Sequence, residues 1–348
     1  MSYNLSIIIP ISITFKTLFR LRRLKFLIEL FSKRESIEIV VVDSSSLPFS
    51  RSVMDISGSF YNHLKMSGIY SASEARNYGS KIANGDYLLF FDVDLVVRED
   101  FLDRVLRDIE VLKSKAEEAF TIYPCLYLSE TKSREIEKRG LRDSDFLNIK
   151  LRYLEGFNDE VLYLAVNTST ILLQREHFFT IGGYSEIFRG HGYEDFELIH
   201  RLYLNYPIVK RGVDYIIDFK TPFPYCYRGF RKYFAYYALE NFFKDKFTLH
   251  LWHNRPLTKK YYRNREKNLL YFLEYLNSSL ENEIRDVFLD KSLGDYNRFI
   301  DTLMEKYGFG NAKYCGLREL NSYSKSNKPK SSIKRKIRRK FLNLLDRI

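Results

Sequence analysis

Residues 86–96 read Asp86-Tyr-Leu-Leu-Phe-Phe-Asp92-Val-Asp94-Leu-Val96, and this stretch decides the fold. Its apolar run, residues 87–91, lies between Gly85-Asp86 and a pair of acids. A short, wholly apolar run bounded by turn residues is the pattern of a strand buried on both faces, as in a parallel sheet. Asp92 and Asp94 then fall at its C-terminal end, where open α/β sheets hold their ligands. Two carboxylates one residue apart can share a hard divalent cation and leave positions for phosphate oxygens. The plainer reading is a solvated strand end, which often carries Asp.

On the N-terminal side, residues 5–9 form a β-branched run ended by Pro10. Residues 15–31 place Leu18, Leu21, Leu24, Leu27, Ile28 and Phe31 at helical spacing, and residues 37–42 form a second apolar run ending at Asp43. Strand, helix and strand at this spacing predict a βαβ unit with a right-handed crossover. Residues 73–83 predict a capped helix, 99–119 a charged amphipathic helix and 120–128 a strand. Residues 129–160 are polar and break the rhythm, which reads as a partly helical insertion over the site. Strand material follows at 161–173, a short helix at 174–181 ending at Gly182-Gly183, a helix at 194–205, one or two strands at 208–219 and an extended segment at 247–253. The pattern predicts an α/β domain over residues 1–255, a helical appendix over 256–320, and a polar linker with a basic tail over 321–348.

The 348 residues, 45% hydrophobic and 29% charged, suffice for one large domain with an appendix. Tyr (27) and Phe (28) are abundant, and most are expected in the core. Cys125, Cys226 and Cys315 are far apart with no CxxC, so neither a disulfide framework nor a thiolate zinc site is expected, and a reducing compartment fits. No signal peptide and no run of ~20 apolar residues is seen, so a soluble or peripheral protein is expected. Residues 328–348 hold nine Lys/Arg and one Asp, +8 of the net +12. The rest is close to neutral, which argues against a nucleic-acid-binding body. In the tail, Ile333, Ile337, Phe341, Leu344, Leu345 and Ile348 recur at helical spacing among Lys and Arg. Such a basic amphipathic helix suits an anionic membrane surface; a disordered tail or a helix packed on a partner are the other readings.

Four stretches stand in one order: Ser6-Ile-Ile-Ile-Pro10, Ile39-Val-Val-Val-Asp43, Ala75-Arg-Asn77 with Gly79, and Phe91-Asp-Val-Asp94. A fifth, Gly182-Gly-Tyr-Ser-Glu186 followed by Gly190-His-Gly-Tyr-Glu-Asp195, comes later. Together they resemble nucleotide-sugar glycosyltransferases of the GT-A fold, family-2-like, and the fifth resembles the C-terminal signature of β-1,4-galactosyltransferases and bacterial chondroitin-type polymerases. The resemblance implies a Rossmann-like, mostly parallel sheet flanked by helices. It implies an inverting enzyme that uses Mn²⁺ or Mg²⁺ to move a hexose or N-acetylhexosamine from a UDP-sugar to a glycan or lipid-linked glycan, in capsular or surface polysaccharide synthesis. The basic tail would hold such an enzyme at the inner face of the cell membrane.

Residue roles follow from the same resemblance. Pro10, Asp43, Arg76, Asn77, Asp92 and Gly183 are assigned to the nucleotide-sugar, Asp43 accepting from the uracil imide N–H and Arg76 reaching uracil or diphosphate oxygens. Asp92 and Asp94 are assigned to the metal, Asp94 for direct ligation and Asp92 for ribose or metal. His253, and after it His250, would complete the metal shell, since imidazole can join two carboxylates. Asp195 takes the position of the general base that deprotonates the acceptor hydroxyl, and Glu194 would hold sugar hydroxyls. An acid in the first turn of a helix is otherwise a cap or a partner of the helix dipole. A contrasting expectation is a non-catalytic nucleotide- or glycan-binding subunit of a synthase complex.

Overall fold

The computed structural model describes residues 3–47, 59–255, 260–279 and 286–320. Twelve strands and twelve helices are assigned among them. The strands are β1 (Leu5–Ile11), β2 (Ile37–Asp43), β3 (Ser59–His63), β4 (Tyr87–Phe90), β5 (Leu95–Val96), β6 (Phe120–Ile122), β7 (Cys125–Leu128), β8 (Val161–Ala165), β9 (Ile171–Gln174), β10 (Asp218–Phe219), β11 (Arg228–Gly229) and β12 (Thr248–His250). The helices are α1 (Phe19–Phe31), α2 (Ala72–Ile82), α3 (Phe101–Lys113), α4 (Glu130–Arg139), α5 (Asp143–Leu154), α6 (Arg175–Thr180), α7 (Glu194–Asn205), α8 (Phe230–Ala235), α9 (Leu239–Phe243), α10 (Lys260–Arg263), α11 (Arg265–Ser278) and α12 (Tyr296–Lys306).

The central sheet has the order β3-β2-β1-β4-β9-β6. Strands β3, β2, β1 and β4 are mutually parallel, and β9 runs antiparallel to both its neighbours. The expected α/β class with a mostly parallel sheet is therefore what forms. Every residue of β1, β2 and β4 is buried, as continuous apolar runs require when helices cover both faces. Ser71 caps α2 by accepting from the Glu74 N–H at 3.2 Å. Helix α2 then lies tight on the sheet at Gly79, where a Cβ would stand 2.6 Å from Ile8 Cγ2.

A second sheet, β5-β12-β7-β8, meets the first at the acid turn. After β4 the chain turns at Asp92, whose carbonyl accepts from Leu95 N–H at 3.1 Å, and then pairs as β5 with β12. That register sets His250 opposite Leu95, and Leu251 N–H donates to the Asp94 carbonyl at 2.8 Å. The seam between the sheets thus brings the 92–94 turn to the 250–253 segment.

Three sequence readings change. The strand expected at 120–128 splits at Tyr123-Pro124 into β6 and β7, one in each sheet, because Pro124 has no N–H to continue a ladder. The strands expected at 208–219 reduce to a 3₁₀ turn over Val213–Ile216 and the two-residue β10. Tyr215 drives that change: its buried ring packs on Tyr203 at 5.3 Å and Tyr233 at 5.2 Å, and its hydroxyl lies 2.7 Å from His200 Nδ1. The 129–160 insertion is mostly helical, as α4 and α5. The half-exposed edge strand β3 has no apolar run and was not foreseen.

Past residue 255, α11 packs on α7. The Asn268 side chain donates to the Gly192 carbonyl at 2.9 Å and to the Arg189 carbonyl at 3.2 Å, so α11 supports the loop ahead of Glu194-Asp195. The 321–348 segment, with its expected amphipathic tail, lies outside the described residues. Among the described residues no helix is long and apolar enough to cross a membrane.

Candidate active site

One cavity of about 2020 Å³ opens at the C-terminal ends of β1 and β4. Pro10, Arg76, Asp92, Asp94, Glu194, Asp195, His250 and His253 all line it. Eight of the eleven residues singled out in the sequence therefore meet in one place. Asp43, Asn77 and Gly183 are not in the lining.

The wall at the sheet seam is built around Asp94, which is 6% exposed. Arg20 Nη2 donates to its Oδ2 at 2.9 Å, and Arg23 Nη1 donates to its Oδ1. Arg23 also grips Glu137 of α4 at 2.6 Å and the Trp252 carbonyl at 3.3 Å, tying the insertion and the histidine segment to the acid turn. Burial alone would push the Asp94 carboxyl up; Arg20, the two histidines and Arg23 outweigh it and hold it well below the usual carboxylate range.

Asp94, His250 and His253 bring one ligand atom each within 4.8 Å of one another. His250 is buried and stacks on Tyr127 at 4.2 Å; its Nε2 lies 3.0 Å from Arg255, and its Nδ1 has no hydrogen-bond partner. Burial lowers the basicity of both rings, His250 far below its ordinary value and His253 to about 4. A carboxylate, two neutral imidazoles and an orphaned ring nitrogen make a donor set that fits a divalent cation. The fit has one condition: both Asp94 oxygens already carry a guanidinium. Asp92 stands apart from this group. Its Oδ1 accepts from Arg76 at 2.9 Å and its Oδ2 from the Ser169 hydroxyl at 2.9 Å.

The facing wall is the start of α7. The loop before it is fixed by Gly190 N–H donating to the Tyr70 carbonyl and His191 N–H donating to the Tyr261 carbonyl, both at 2.9 Å. Tyr193 takes a left-handed backbone, φ 78°, a costly conformation for a bulky residue. Its hydroxyl donates to Asp218 at 2.8 Å, which anchors the strained turn. Glu194 and Asp195 follow. Burial first, then the neighbouring Asp195 carboxylate, raises the Glu194 pKa, and Glu194 Oε2 has no hydrogen-bond partner. Burial also raises Asp195, but there Arg76 opposes it directly, donating to Oδ1 at 2.8 Å.

Arg76, 2% exposed, joins the two walls by bonding Asp92 on one side and Asp195 on the other. The Tyr184 ring supports it at 5.1 Å, and the Tyr184 hydroxyl lies 3.4 Å from Asp195. Asn77 and Gly183 act behind that ring. Asn77 donates to the Tyr184 carbonyl at 2.9 Å and accepts from its N–H at 2.8 Å. Gly183 has φ +66°, and a Cβ there would press on Asn77 Oδ1. Asp43 is fully buried; its carboxylate accepts from the Ser45 N–H at 2.9 Å and the Tyr61 hydroxyl at 3.2 Å.

Sequence reading missed Arg20, Arg23, Ser169 and Tyr184. A signal existed for the arginines. Arg20 lies four residues before Leu24, and Arg23 four before Leu27, so both sit on the apolar stripe of α1, where an unpaired charge is costly. Nothing local marks Ser169, whose partner Asp92 is 77 residues away; Tyr184 stands inside the Gly182–Glu186 stretch, which assigns it no role.

The amylovoran biosynthesis glycosyltransferase AmsB of Erwinia amylovora is 26% identical over 153 residues, 41% of this chain and 47% of that protein. The chain thus spans about half the length of this curated relative. Among solved structures, residues 1–349 of S. aureus TarS align over 89% of this chain and 83% of that one, at 15% identity and a TM-score of 0.38. A longer TarS structure aligns over 59% and 34%, at 18% identity and a TM-score of 0.35. The model of glycosyltransferase-like family 2 matches residues 6–278, most of the chain, and the protein is accordingly a member of that family of sugar-transferring enzymes.

Proposed function

We propose that this enzyme moves a hexose or N-acetylhexosamine from a UDP-sugar to a glycan acceptor, with inversion, and that it does so in surface polysaccharide synthesis. The observation that carries the reading is the pair of opposed acidic walls on one cavity, bridged by Arg76. One wall offers Asp94, His250 and His253 to a divalent cation, which when bound offsets charge on a leaving diphosphate. The imidazoles favour Mn²⁺ over Mg²⁺, which prefers all-oxygen shells. The other wall offers Asp195 as the base for the acceptor hydroxyl. A base facing the attacking side, across the cavity from the diphosphate, is the arrangement for single displacement and hence inversion.

The dyad divides its labour by environment, as paired acids with unlike surroundings do. Arg76 favours the ionised form of Asp195, which suits a base. Glu194, buried with a free oxygen, keeps its proton further up the pH scale and can donate to a sugar hydroxyl. Asp92, held by Arg76 and Ser169, faces the same space and suits the donor's ribose or sugar. Asp43, Asn77 and Gly183 are assigned to donor binding through the frame they build. The polysaccharide role rests on the likeness to AmsB, whose name places it in amylovoran biosynthesis. A lipid-linked acceptor at the inner membrane face would match the basic tail of residues 328–348.

The test is a screen of UDP-sugars for Mn²⁺-stimulated hydrolysis, then for transfer to glycans. Turnover of one UDP-sugar, lost on removing the cation and in Asp94→Asn, supports the proposal. UDP binding with no turnover of any donor would instead favour a binding subunit.

A further inference from the structure

The cavity carries positive charge that its two acidic walls do not pair. Arg265, at the start of α11, lines the cavity and lies over the Tyr193 ring, its guanidinium carbon 4.6 Å from the centroid. It fills the space that a Cβ on residue 192 would need, so Gly192 (φ +95°) admits it next to the Glu194-Asp195 turn. Arg255 lies over Tyr127 at 5.2 Å and bonds the neutral His250. Among the described residues neither guanidinium pairs with a carboxylate. Each rests instead on an aromatic ring, which fixes its place without neutralising it. The other arginines lining the cavity are paired: Arg20 with Asp94, Arg76 with Asp92 and Asp195, and Arg231 with Asp218.

The support beneath Arg265 is itself braced. Tyr193, in its left-handed conformation, is tied by its hydroxyl to Asp218, and Asp218 accepts from Arg231 Nε at 2.7 Å. The neighbouring His191 ring registers the local charge: burial, then Arg265, Arg255 and Lys220, lowers its pKa to about 3. A pocket wall that welcomed only neutral hydroxyls would gain nothing from such uncompensated cations.

We propose that Arg265 forms an anion subsite beside the Glu194-Asp195 turn, and that the acceptor carries a carboxylate or phosphate group there. A planar guanidinium takes either group in a two-pronged hydrogen bond. The proposal rests on the transferase reading and names the acceptor's chemistry within it.

The test is binding to the full chain, loaded with UDP and Mn²⁺, of three matched probes: p-nitrophenyl β-glucuronide, p-nitrophenyl β-glucoside and phenyl phosphate. The expected result is at least tenfold tighter binding of the glucuronide or the phosphate than of the glucoside, the winning arm identifying the anion. Arg265→Gln removes most of that preference, Arg265→Lys keeps part of it, and UDP affinity stays within twofold in both. Equal binding of charged and neutral probes by the unaltered protein overturns the subsite, as does an Arg265→Gln variant whose UDP affinity falls in step. UDP uptake that persists in those cases leaves the donor reading standing; absence of UDP uptake would remove the transferase reading itself.

Discussion

Asp94 and Glu194 are buried acids on the same cavity, and their surroundings drive their protons in opposite directions. Asp94 sits between two guanidinium groups and two imidazoles, which hold it ionised far into acid. Glu194 sits in the first turn of α7 beside another carboxylate, with the nearest guanidinium spent on Asp195 and Asp92. The helix dipole favours negative charge there, yet burial and like-charge repulsion win. Two identical functional groups are thus prepared for different work. The first is held as an anion and the second holds its proton, which under the proposed function suits a cation on one wall and a partner to the base on the other. Arg76 is the common element, and removing it should damage both walls at once.

The largest effect is expected at the base. Asp195→Asn keeps size and the contacts to Arg76 and Tyr184 but cannot take a proton, so transfer should fall by roughly 10²–10⁴-fold while UDP affinity is retained. Full activity in this variant would mean that Glu194 or solvent is the base, and the division between the two acids would have to be reversed. Next is Arg76→Met. It leaves Asp195 and the part-exposed Asp92 without their shared counter-charge, and because solvent reaches both acids the loss should fall below the about 3–5 kcal/mol of a fully buried pair. Urea unfolding measures that loss. A variant as stable as the parent would show that solvent already screens both carboxylates, and the contrast between the walls would be weaker than the geometry indicates.

A smaller effect sharpens the same contrast on the Asp94 side. Arg20 holds one Asp94 oxygen that a divalent cation would need, and its side chain is partly exposed. Arg20→Met should therefore tighten Mn²⁺ binding in the absence of nucleotide by about tenfold, or roughly 1.4 kcal/mol. Free Mn²⁺ counted by electron paramagnetic resonance reads this without any turnover. Unchanged or weaker binding would mean that Arg20 supports the cation rather than competing with it.

The two walls also differ in how well the sequence announced them. The Asp92/Asp94 wall was legible because it hangs on a buried strand whose apolar run and terminal acids are local signals. Its histidines were assigned through the resemblance, and the β5–β12 register brings His250 beside the acid turn. The opposite wall was legible only in part. Gly190, Gly192 and the two acids could be read, whereas its support from α11, through Asn268 and Arg265, joins residues some 75 positions apart. Helix α11, beyond residue 255, packs on α7 of the preceding segment. Asn77 illustrates a third case. The resemblance assigns it to the donor, and in the structure its amide bonds the Tyr184 backbone, 107 residues away, and donates to Glu186.

A last effect follows from the direction of the Glu194 shift. Its folded pKa lies above the unfolded value, because burial and Asp195 disfavour the anion. The folded protein therefore keeps a proton that the unfolded chain has already released. Stability from this group is complete below the ordinary glutamate range and is lost as pH rises through the raised folded value. Glu194→Gln keeps the shape and cannot ionise, so it should match the parent below the ordinary glutamate range and exceed it at alkaline pH, where the parent must ionise a buried carboxyl beside Asp195. Urea midpoints for the two proteins, taken across that pH span, decide the matter. Parallel curves would show that Glu194 is ionised in the folded state. The two walls would then carry the same charge state, and the proton-holding role assigned to Glu194 would pass to a group outside the dyad.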